Sequence, residues 1–526
     1  MKNIIFKSIG IALSLAISTS CTVPKANQQK ITNNNKNPGS WTVTKITEDN
    51  IATAVAALPG IIQQAMDTSG LPGLAVAVVR SNEILLLEGF GLRSSKASNT
   101  VDANTVFQLA SLSKPVGATV ISRAVSAGTI SWDDPIVKYL PDFQLGSDND
   151  AVSINITLGD LYSHRSGLPG HAGDLLEDIG YSREKIIHQL RHLPITRFRD
   201  QYEYTNFGLT TAADAVAKAH NTRWEDLSES LLYQPAKMHS TSSRFVDYLN
   251  AENRAITHQR KQGTWVPGPV RNADAQSAAG GVSSTAHDMA RWMQLHLANG
   301  KLDGVQLIDA NSLQIMRQPH FISNVSSDPL TRPSMYGYGI NFQVDASGHV
   351  RWSHSGAFLL GAATNVVFLP AGDIAITVLS NGEPHGIPEA ITAQFMDIVE
   401  TGEVQFDWLN LYQPAFAGFY SNPSKLADIQ PPAKPMPAQN LNSYTGHYKN
   451  RYYGAAKISV RDNKLILSLG PKPQEFFLSH WDGDTFSYYP RGENAVGIAA
   501  INFNTNTQQL TIEYLNSNGL GTFSNQ

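Results

Sequence analysis

Two groups of apolar, strand-like segments lie far apart in this chain and constrain its fold more than any other feature. The first is a hairpin pattern over residues 71–91, L-P-G-L-A-V-A-V-V-R-S-N-E-I-L-L-L-E-G-F-G, with a turn at Ser81 and Asn82. The second lies after residue 335 and includes A-T-N-V-V-F-L-P and I-A-I-T-V-L-S-N. Apolar, β-branched runs bounded by Gly, Pro, Asn and Ser are typical of β-strands.

The segment between these groups, about residues 111–320, has mostly helical patterns, such as T-T-A-A-D-A-V-A-K-A and T-A-H-D-M-A-R-W-M-Q-L-H-L-A-N-G. A sheet must bury its apolar face against another layer. The simplest architecture therefore pairs the early hairpin with the late strands. We predict an α+β fold, with an antiparallel sheet flanked by helices and a helical subdomain.

The chain has 526 residues, more than one ordinary domain holds. After about residue 410 the pattern changes to the proline-rich P-P-A-K-P-M-P, which is typical of a semi-rigid linker. Short alternating strand patterns follow, as in a small barrel or sandwich. We predict a main domain over residues 51–410, a linker over 411–440 and a small all-β barrel over 441–526.

The first 21 residues predict export. Lys2 and Lys7 precede an apolar core that is shorter than the ~20 residues of a bilayer crossing, which indicates a signal peptide. Small residues before Cys21, the single cysteine, resemble a bacterial lipoprotein processing site, although a plain cleaved signal is the alternative. Residues 22–50 are too polar to fold and predict a flexible tether. We expect a protein on the periplasmic side of a bacterial membrane, lipid-anchored at Cys21.

The charge of the chain excludes one class of partner. The formal net charge is −4, and no basic run occurs outside the N-terminus. Nucleic-acid binding needs a basic footprint. We therefore expect no nucleic-acid partner and no membrane contact except through the anchor. The oligomeric state is left open.

The pattern S-x-x-K occurs twice, at Ser111/Lys114 and at Ser182/Lys185. Residues i and i+3 share a helical face, and a serine becomes a nucleophile when a nearby group takes its proton. A buried lysine has a lowered pKa and can be that base. Serine is also a favoured N-cap residue, and Glu184 in the first turn favours this interpretation for Ser182. For Ser111 the pattern alone leaves both interpretations open.

Two more motifs follow in a specific order: Y-T-N at Tyr204–Asn206 and H-S-G at His354–Gly356. Together with H-R-S-G-L-P, A-G-G-V-S-S-T-A-H-D-M-A-R-W and Y-G-Y-G, this order over residues 51–400 resembles the serine β-lactamase and penicillin-binding-protein-like hydrolases. The resemblance is to the class C β-lactamase and D,D-peptidase side. The segment from residue 441 is similar to the small β-barrel domain that some members carry.

The resemblance implies roles for individual residues. Ser111 would be the acylated nucleophile and Lys114 its proton acceptor. Tyr204 would transfer protons as a phenolate or through its hydroxyl, and Asn206 would bind the substrate's amide group and hold Lys114. The oxyanion hole would be the backbone N–H groups of Ser111 and Ala357, which suits free donors at a helix start and a strand end. No cofactor and no metal are expected.

Residues His354, Ser355, Gly356 and Ala357 would bind substrate, and His354 departs from the family pattern. Lysine is usual there in β-lactamases, whereas an imidazole is mostly neutral near pH 7. We therefore expect hydrolysis of an ester or peptide amide rather than efficient β-lactam hydrolysis. The substrate would be a small ester, a β-lactam or a cell-wall-type peptide, with specificity in loops such as 171–178. The alternative is a non-catalytic protein that binds cell-wall peptides or penicillin.

Two other kinds of site fit the sequence less well. His188 and His192 have the i,i+4 spacing of a zinc pair, but H-Q-L-R-H lacks the glutamate of H-E-x-x-H, so a solvated helical face is the better interpretation. No G-x-S-x-G occurs in the chain, which excludes the usual α/β-hydrolase nucleophile motif.

Overall fold

The computed structural model describes residues 42–146, 150–328 and 330–526. The predicted signal peptide, Cys21 and residues 22–41 of the predicted tether lie outside the described residues. Within the described ranges, no helix combines the length and the apolar character needed to cross a membrane.

The main domain is built on one eight-stranded antiparallel sheet with the order β2-β1-β14-β13-β12-β11-β10-β9. The strands in chain order are β1 (Gly73–Val79), β2 (Ile84–Gly91), β3 (Phe107–Gln108), β4 (His258–Lys261), β5 (Thr264–Pro267), β6 (Ser283–Ser284), β7 (Lys301–Leu302), β8 (Val305–Gln306), β9 (Phe321–Asn324), β10 (Ser334–Tyr336), β11 (Asn341–Val344), β12 (Val350–Phe358), β13 (Ala362–Leu369) and β14 (Ile374–Ser380). The early strand β1 pairs with the late strand β14, as predicted, with a register that runs from Leu74 opposite Ser380 to Val79 opposite Ala375.

Helices cover both faces of this sheet. In chain order, the helices of the described residues are α1 (Glu48–Ser69), α2 (Ser113–Ser126), α3 (Asp150–Asn155), α4 (Leu158–Tyr162), α5 (Asp174–Asp178), α6 (Arg183–Gln189), α7 (Asn206–Ala219), α8 (Trp224–Ser228), α9 (Phe245–Asn250), α10 (Ser277–Gly280), α11 (Ala286–Leu297), α12 (Ala310–Arg317), α13 (Ile387–Thr401) and α14 (Trp408–Ala417). Helices α1 and α13 pack on one face of the sheet, and α11 packs on the other. The predicted α+β class is confirmed.

Strand β1 shows why its sequence is apolar at every position. Leu74, Val76 and Val78 pack with the α1 and α13 side chains, whereas Ala75 and Ala77 belong to the core on the α2 and α11 side. A strand alternates its side chains between two faces. Because both faces are covered, the pattern becomes a continuous apolar run.

The C-terminal part is a nine-stranded antiparallel sheet that curls into a nearly closed barrel. Its strands are β15 (Gly446–Asn450), β16 (Gly454–Arg461), β17 (Lys464–Leu469), β18 (Gln474–Phe477), β19 (Ser479–Asp482), β20 (Thr485–Tyr488), β21 (Ala499–Asn504), β22 (Gln509–Ile512) and β23 (Thr522–Asn525). The two edge strands, β18 and β19, are consecutive in the chain. Helix α14 spans the predicted domain boundary at residue 410 and ends at Ala417.

Candidate active site

A tight turn places Ser111. Strand β3 ends at Gln108, and a 3-10 turn over Ala110–Leu112 leads directly into α2. Ala110 is fully buried and has φ +49°, a left-handed conformation that costs an L-residue about 1–2 kcal/mol. The N-cap residue of α2 is Leu112. Ser111 therefore lies inside the turn and does not cap the helix.

Lys114 is fully buried, and its Nζ contacts three oxygen atoms. The distances are 3.0 Å to Ser111 Oγ, 2.7 Å to Asn206 Oδ1 and 2.9 Å to the Ala279 carbonyl oxygen. Burial lowers the Lys114 pKa well below the usual 10.5, and this effect outweighs the opposing charge of Asp174. The amine next to Ser111 can therefore lose its proton and act as a base.

The Tyr204 hydroxyl also donates to Ser111 Oγ, at 2.8 Å. Its ring lies against the amine, with 4.5 Å between Lys114 Nζ and the ring centroid. Burial raises the pKa of Tyr204. The phenol therefore keeps its proton at neutral pH, which favours a hydroxyl relay over a phenolate.

Asn206 is the first residue of α7, and a carboxylate fixes its amide. Asp174 Oδ2 accepts from Asn206 Nδ2 at 2.9 Å and also contacts His171 Nδ1 at 3.0 Å. Since a carboxylate only accepts hydrogen bonds, it holds the amide with its oxygen toward Lys114. The sequence pointed to the loop 171–178 for specificity but did not single out Asp174.

His354 faces the same centre from β12 and is almost fully buried. Its Nδ1 contacts the Ser355 carbonyl oxygen at 2.7 Å, and its Nε2 contacts the Tyr336 hydroxyl at 3.0 Å. A carbonyl oxygen only accepts, so Nδ1 carries the proton and Nε2 accepts from Tyr336. Burial and the charge of Lys114 lower the pKa of His354 to about 3. The imidazole is neutral at physiological pH.

Strand β12 touches the Ser111 turn at Gly356. A Cβ at this glycine would lie 2.2 Å from the Leu109 carbonyl oxygen, so only glycine permits the approach. The same carbonyl accepts from Thr364 Oγ1 at 2.7 Å. In the described residues, β11 pairs with β12 only as far as Ser353. The segment that carries Ala357 therefore lies beside the Ser111 turn, past the point where β11 stops pairing with β12. The oxyanion hole formed by the N–H groups of Ser111 and Ala357 stays a prediction.

Sequence comparison identifies the family. A sequence model of the family described as Beta-lactamase matches residues 58–398, well over half of the chain. The chain belongs to the beta-lactamase family. A second match, to the family described as Domain of unknown function (DUF3471), spans residues 430–513 and covers most of the barrel.

Three beta-lactamase family relatives illustrate the similarity. Unguisins hydrolase ungD' of Aspergillus campestris (strain IBT 28561) is 25% identical over 436 residues, 77% of this chain and 78% of that protein. Penicillin-binding protein 4 of Amycolatopsis lactamdurans is 26% identical over 59% of this chain and 81% of its own. D-alanyl-D-alanine-carboxypeptidase/endopeptidase AmpH of Escherichia coli (strain K12) is 24% identical over 53% of this chain and 71% of its own.

A solved structure shares the fold. The octameric penicillin-binding protein homologue from Pyrococcus abyssi aligns with a TM-score of 0.57 and 17% identity, covering 87% of this chain and 98% of that chain. The family match over residues 58–398 confirms the predicted family. This beta-lactamase family protein is an enzyme, a hydrolase of the serine β-lactamase and penicillin-binding-protein-like group.

The structure does not bring the Ser355 side chain to the centre. Successive strand residues point to opposite faces, and Ser355 Oγ accepts from Asn365 Nδ2 at 2.9 Å. It lines a cavity of about 80 Å³ together with Glu389 and Thr392 of α13, the helix on the reverse face of the sheet. A contact between Ser355 and substrate stays a prediction.

Two further residues near Tyr204 had no assigned role. The His164 ring lies 4.6 Å from the Tyr204 ring, and its Nδ1 accepts from the Thr205 N–H at 3.2 Å. Tyr336, described above, donates to Nε2 of His354. The sequence signals were the family-like segments H-R-S-G-L-P and Y-G-Y-G, which contain or adjoin these residues.

A possible metal-ligand group lies elsewhere. Among the described residues, Asp345, His349 and Glu400 place ligand atoms within 4.8 Å of one another. Arg351 Nε lies 2.9 Å from Asp345 Oδ2, and Arg351 Nη2 lies 2.7 Å from Glu400 Oε2. The guanidinium already supplies the positive charge between the carboxylates, so the group is better described as a buried ion-pair network.

Proposed function

We propose that this enzyme hydrolyses an ester or a peptide amide through an acyl-enzyme formed on Ser111. The observation that carries the proposal is the position of Ser111 Oγ, 3.0 Å from the buried Lys114 amine and 2.8 Å from the Tyr204 hydroxyl. A nucleophile next to a base that other groups orient is the arrangement that activates a serine.

The proton transfers follow from these contacts. Neutral Lys114 takes the Ser111 proton while Oγ attacks the substrate carbonyl carbon. The negative oxygen that develops is stabilised by backbone N–H groups beside Ser111. When the carbon–oxygen or carbon–nitrogen bond breaks, Tyr204 passes its proton to the leaving group and regains one from Lys114. Water then attacks the acyl carbon while Tyr204 relays one of its protons to neutral Lys114. Lys114 returns that proton to Ser111 Oγ as the acyl–oxygen bond breaks, which releases the acid product and restores the serine.

The surroundings of His354 favour esters and internal peptide amides over substrates that carry a carboxylate, such as β-lactam acids and peptide C-termini. Its ring is neutral, and both nitrogens already have hydrogen-bond partners. It therefore supplies no positive charge for a substrate carboxylate. Two relatives carry names of hydrolytic activities other than β-lactam hydrolysis, since one is called a hydrolase of unguisins and another a D-alanyl-D-alanine carboxypeptidase/endopeptidase.

The test combines labelling with a substrate panel. The purified chain is treated with a fluorophosphonate and with a fluorescent penicillin, and mass spectrometry locates the adduct. Turnover is measured with p-nitrophenyl esters, D-amino-acid amides, D-Ala-D-Ala peptides and a chromogenic cephalosporin. We expect labelling at Ser111 and faster turnover of esters or peptides than of the cephalosporin. Labelling that persists in Ser111→Ala would overturn the proposal, and ligand binding without turnover would indicate the non-catalytic alternative.

We also propose export and lipid attachment at Cys21. Lys2 and Lys7, the short apolar core and the small residues before Cys21 support this. Expression in a bacterial host followed by membrane fractionation tests it. The wild-type chain should be found with membranes and Cys21→Ser should not, and identical fractionation of the two would contradict the proposal.

A further inference from the structure

The barrel holds helix α5 through a carboxylate. Asp178, the last residue of α5, accepts four hydrogen bonds from the barrel segment, from the Glu493 N–H (2.8 Å), the Asn494 N–H (3.0 Å), Asn494 Nδ2 (2.9 Å) and the Tyr514 hydroxyl (2.6 Å). Gly492 has φ +132°, and a Cβ there would lie 2.4 Å from the Asp178 carboxyl carbon. The loop is therefore shaped to enclose this carboxylate.

The barrel also holds the end of β12. Glu493 accepts from the N–H of Leu359 at 2.6 Å and from that of Leu360 at 3.4 Å, directly after the last β12 residue, Phe358. Glu493 is buried, with 7% of its surface exposed. A buried carboxylate is costly without partners, so Glu493 ties the barrel firmly to this strand end.

A buried arginine joins these two contacts. Arg271 Nη2 lies 2.6 Å from Glu177 Oε2 of α5, and Nη1 lies 3.5 Å from Glu493 Oε1. Its guanidinium also stacks on the Phe358 ring, 4.4 Å from the centroid. Phe358 in turn packs in a small cluster with Ala110, the residue before Ser111.

Both segments that the barrel holds also position catalytic groups. Asp178 and Asp174 are the two ends of the same short helix, and Asp174 orients Asn206 against Lys114. Strand β12 carries Ala357, the predicted oxyanion donor, two residues before Leu359. Apolar side chains of α5 and the barrel belong to one continuous core, which makes a rigid connection.

We propose that the barrel is a working part of the active site, and that Glu493 is a positioning residue that sets the β12 end for transition-state stabilisation at Ser111. This rests on the proposed acyl-enzyme. The barrel domain, whose family is described as having an unknown function, thus acts on catalysis through contact with the main domain, without supplying a reacting group.

The test compares Glu493→Ala with the wild-type full-length chain in two measurements with a p-nitrophenyl ester, the steady-state kcat and KM and the rate of Ser111 acylation. Displacing an oxyanion donor changes the transition state more than substrate binding. We expect kcat to fall about 10–100-fold, the scale of a misplaced donor, while KM stays within about threefold. Glu493→Gln keeps one acceptor oxygen and the side-chain shape, so it should recover part of the rate.

The matched control is Glu475→Ala, which removes a half-exposed barrel glutamate paired with Arg461. It should leave kcat and KM unchanged. A Glu493→Ala kcat within about twofold of wild type, with Ser111 still acylated in the wild-type chain, would overturn this inference alone. Absence of wild-type acylation would instead contradict the proposed function.

A second variant tests the proposal if Glu493→Ala does not fold. Tyr514→Phe removes one hydroxyl that donates to Asp178. We expect it to lower the acylation rate about threefold with little change in melting temperature. A rate equal to that of the wild type would then overturn the proposal.

Discussion

The two S-x-x-K motifs have the same spacing and opposite surroundings. At the first, Lys114 is fully buried and its amine contacts Ser111, Asn206 and Ala279. At the second, Ser182 is the N-cap of α6 and accepts from the Lys185 N–H at 3.4 Å, while the Lys185 side chain is exposed.

The difference shows what converts a common helical pattern into a reactive one. The partners that orient Lys114 and Ser111 lie 92, 93 and 165 residues away in sequence. Burial then lowers the pKa of Lys114 well below its usual value. At Ser182 the same S-x-x-K spacing produces only a helix N-cap.

The largest expected difference between the motifs is in the rate of acylation. Lys114→Ala removes the positioned base and should lower the rate about 10²-fold or more. Lys185→Ala should leave it unchanged, because Lys185 contacts no catalytic group. Stopped-flow measurement of the p-nitrophenolate burst gives both rates, with circular dichroism as the check of folding. A loss of less than about threefold in Lys114→Ala would remove Lys114 from this role.

The second expected effect, of intermediate size, is the pH dependence of the acylation rate. Acylation needs neutral Lys114, so its rate should rise with pH as this amine loses its proton and level off, with the midpoint well below 10.5. His354, with a pKa of about 3, stays neutral above that pH and should add no step near neutrality.

Burst rates across the pH range test this in three chains: wild type, Lys185→Ala and His354→Gln. All three should have the same midpoint. A midpoint that disappears in His354→Gln would show that the titrating group is His354 and that the assignment to Lys114 is wrong.

The smallest expected effect is on the second motif. Ser182→Ala removes the α6 cap and should destabilise the first turn of this helix by about 0.5–1 kcal/mol, with no change in acylation. Hydrogen exchange over residues 183–189 measures the local opening. Ser182→Asp retains a capping oxygen and should exchange like the wild type, whereas faster exchange in both variants would contradict the capping role.

Much of the fold followed from local patterns. The turn at Ser81 and Asn82 and the apolar runs beside it predicted the β1–β2 hairpin, and the sheet forms with β14 as expected. These elements were predictable because each is specified by neighbouring residues and by the need to cover an apolar face. The extent of α14 to Ala417 was not predicted, because its boundary depends on packing against α13.

The sequence predicted the site residues that belong to recognisable motifs. It did not predict the residues whose role depends only on their contacts in the folded chain. Ser111, Lys114, Tyr204, Asn206 and His354 come together in one centre. Asp174 and Glu493 belong to no motif in the sequence. An acidic residue in D-L-L-E-D or in a barrel loop has the same local pattern as an acidic residue that is exposed to solvent. Their positions become informative only when burial and partners are known.

By itself, the sequence determined the strands, the helices, the family and the order of the reactive residues, since these depend on periodicity and on short motifs. The tertiary structure alone decided which S-x-x-K serine has a buried amine beside it, which face Ser355 occupies and what the barrel touches. The physical reason is that pKa values and hydrogen-bond geometry depend on groups that folding brings together from distant parts of the chain.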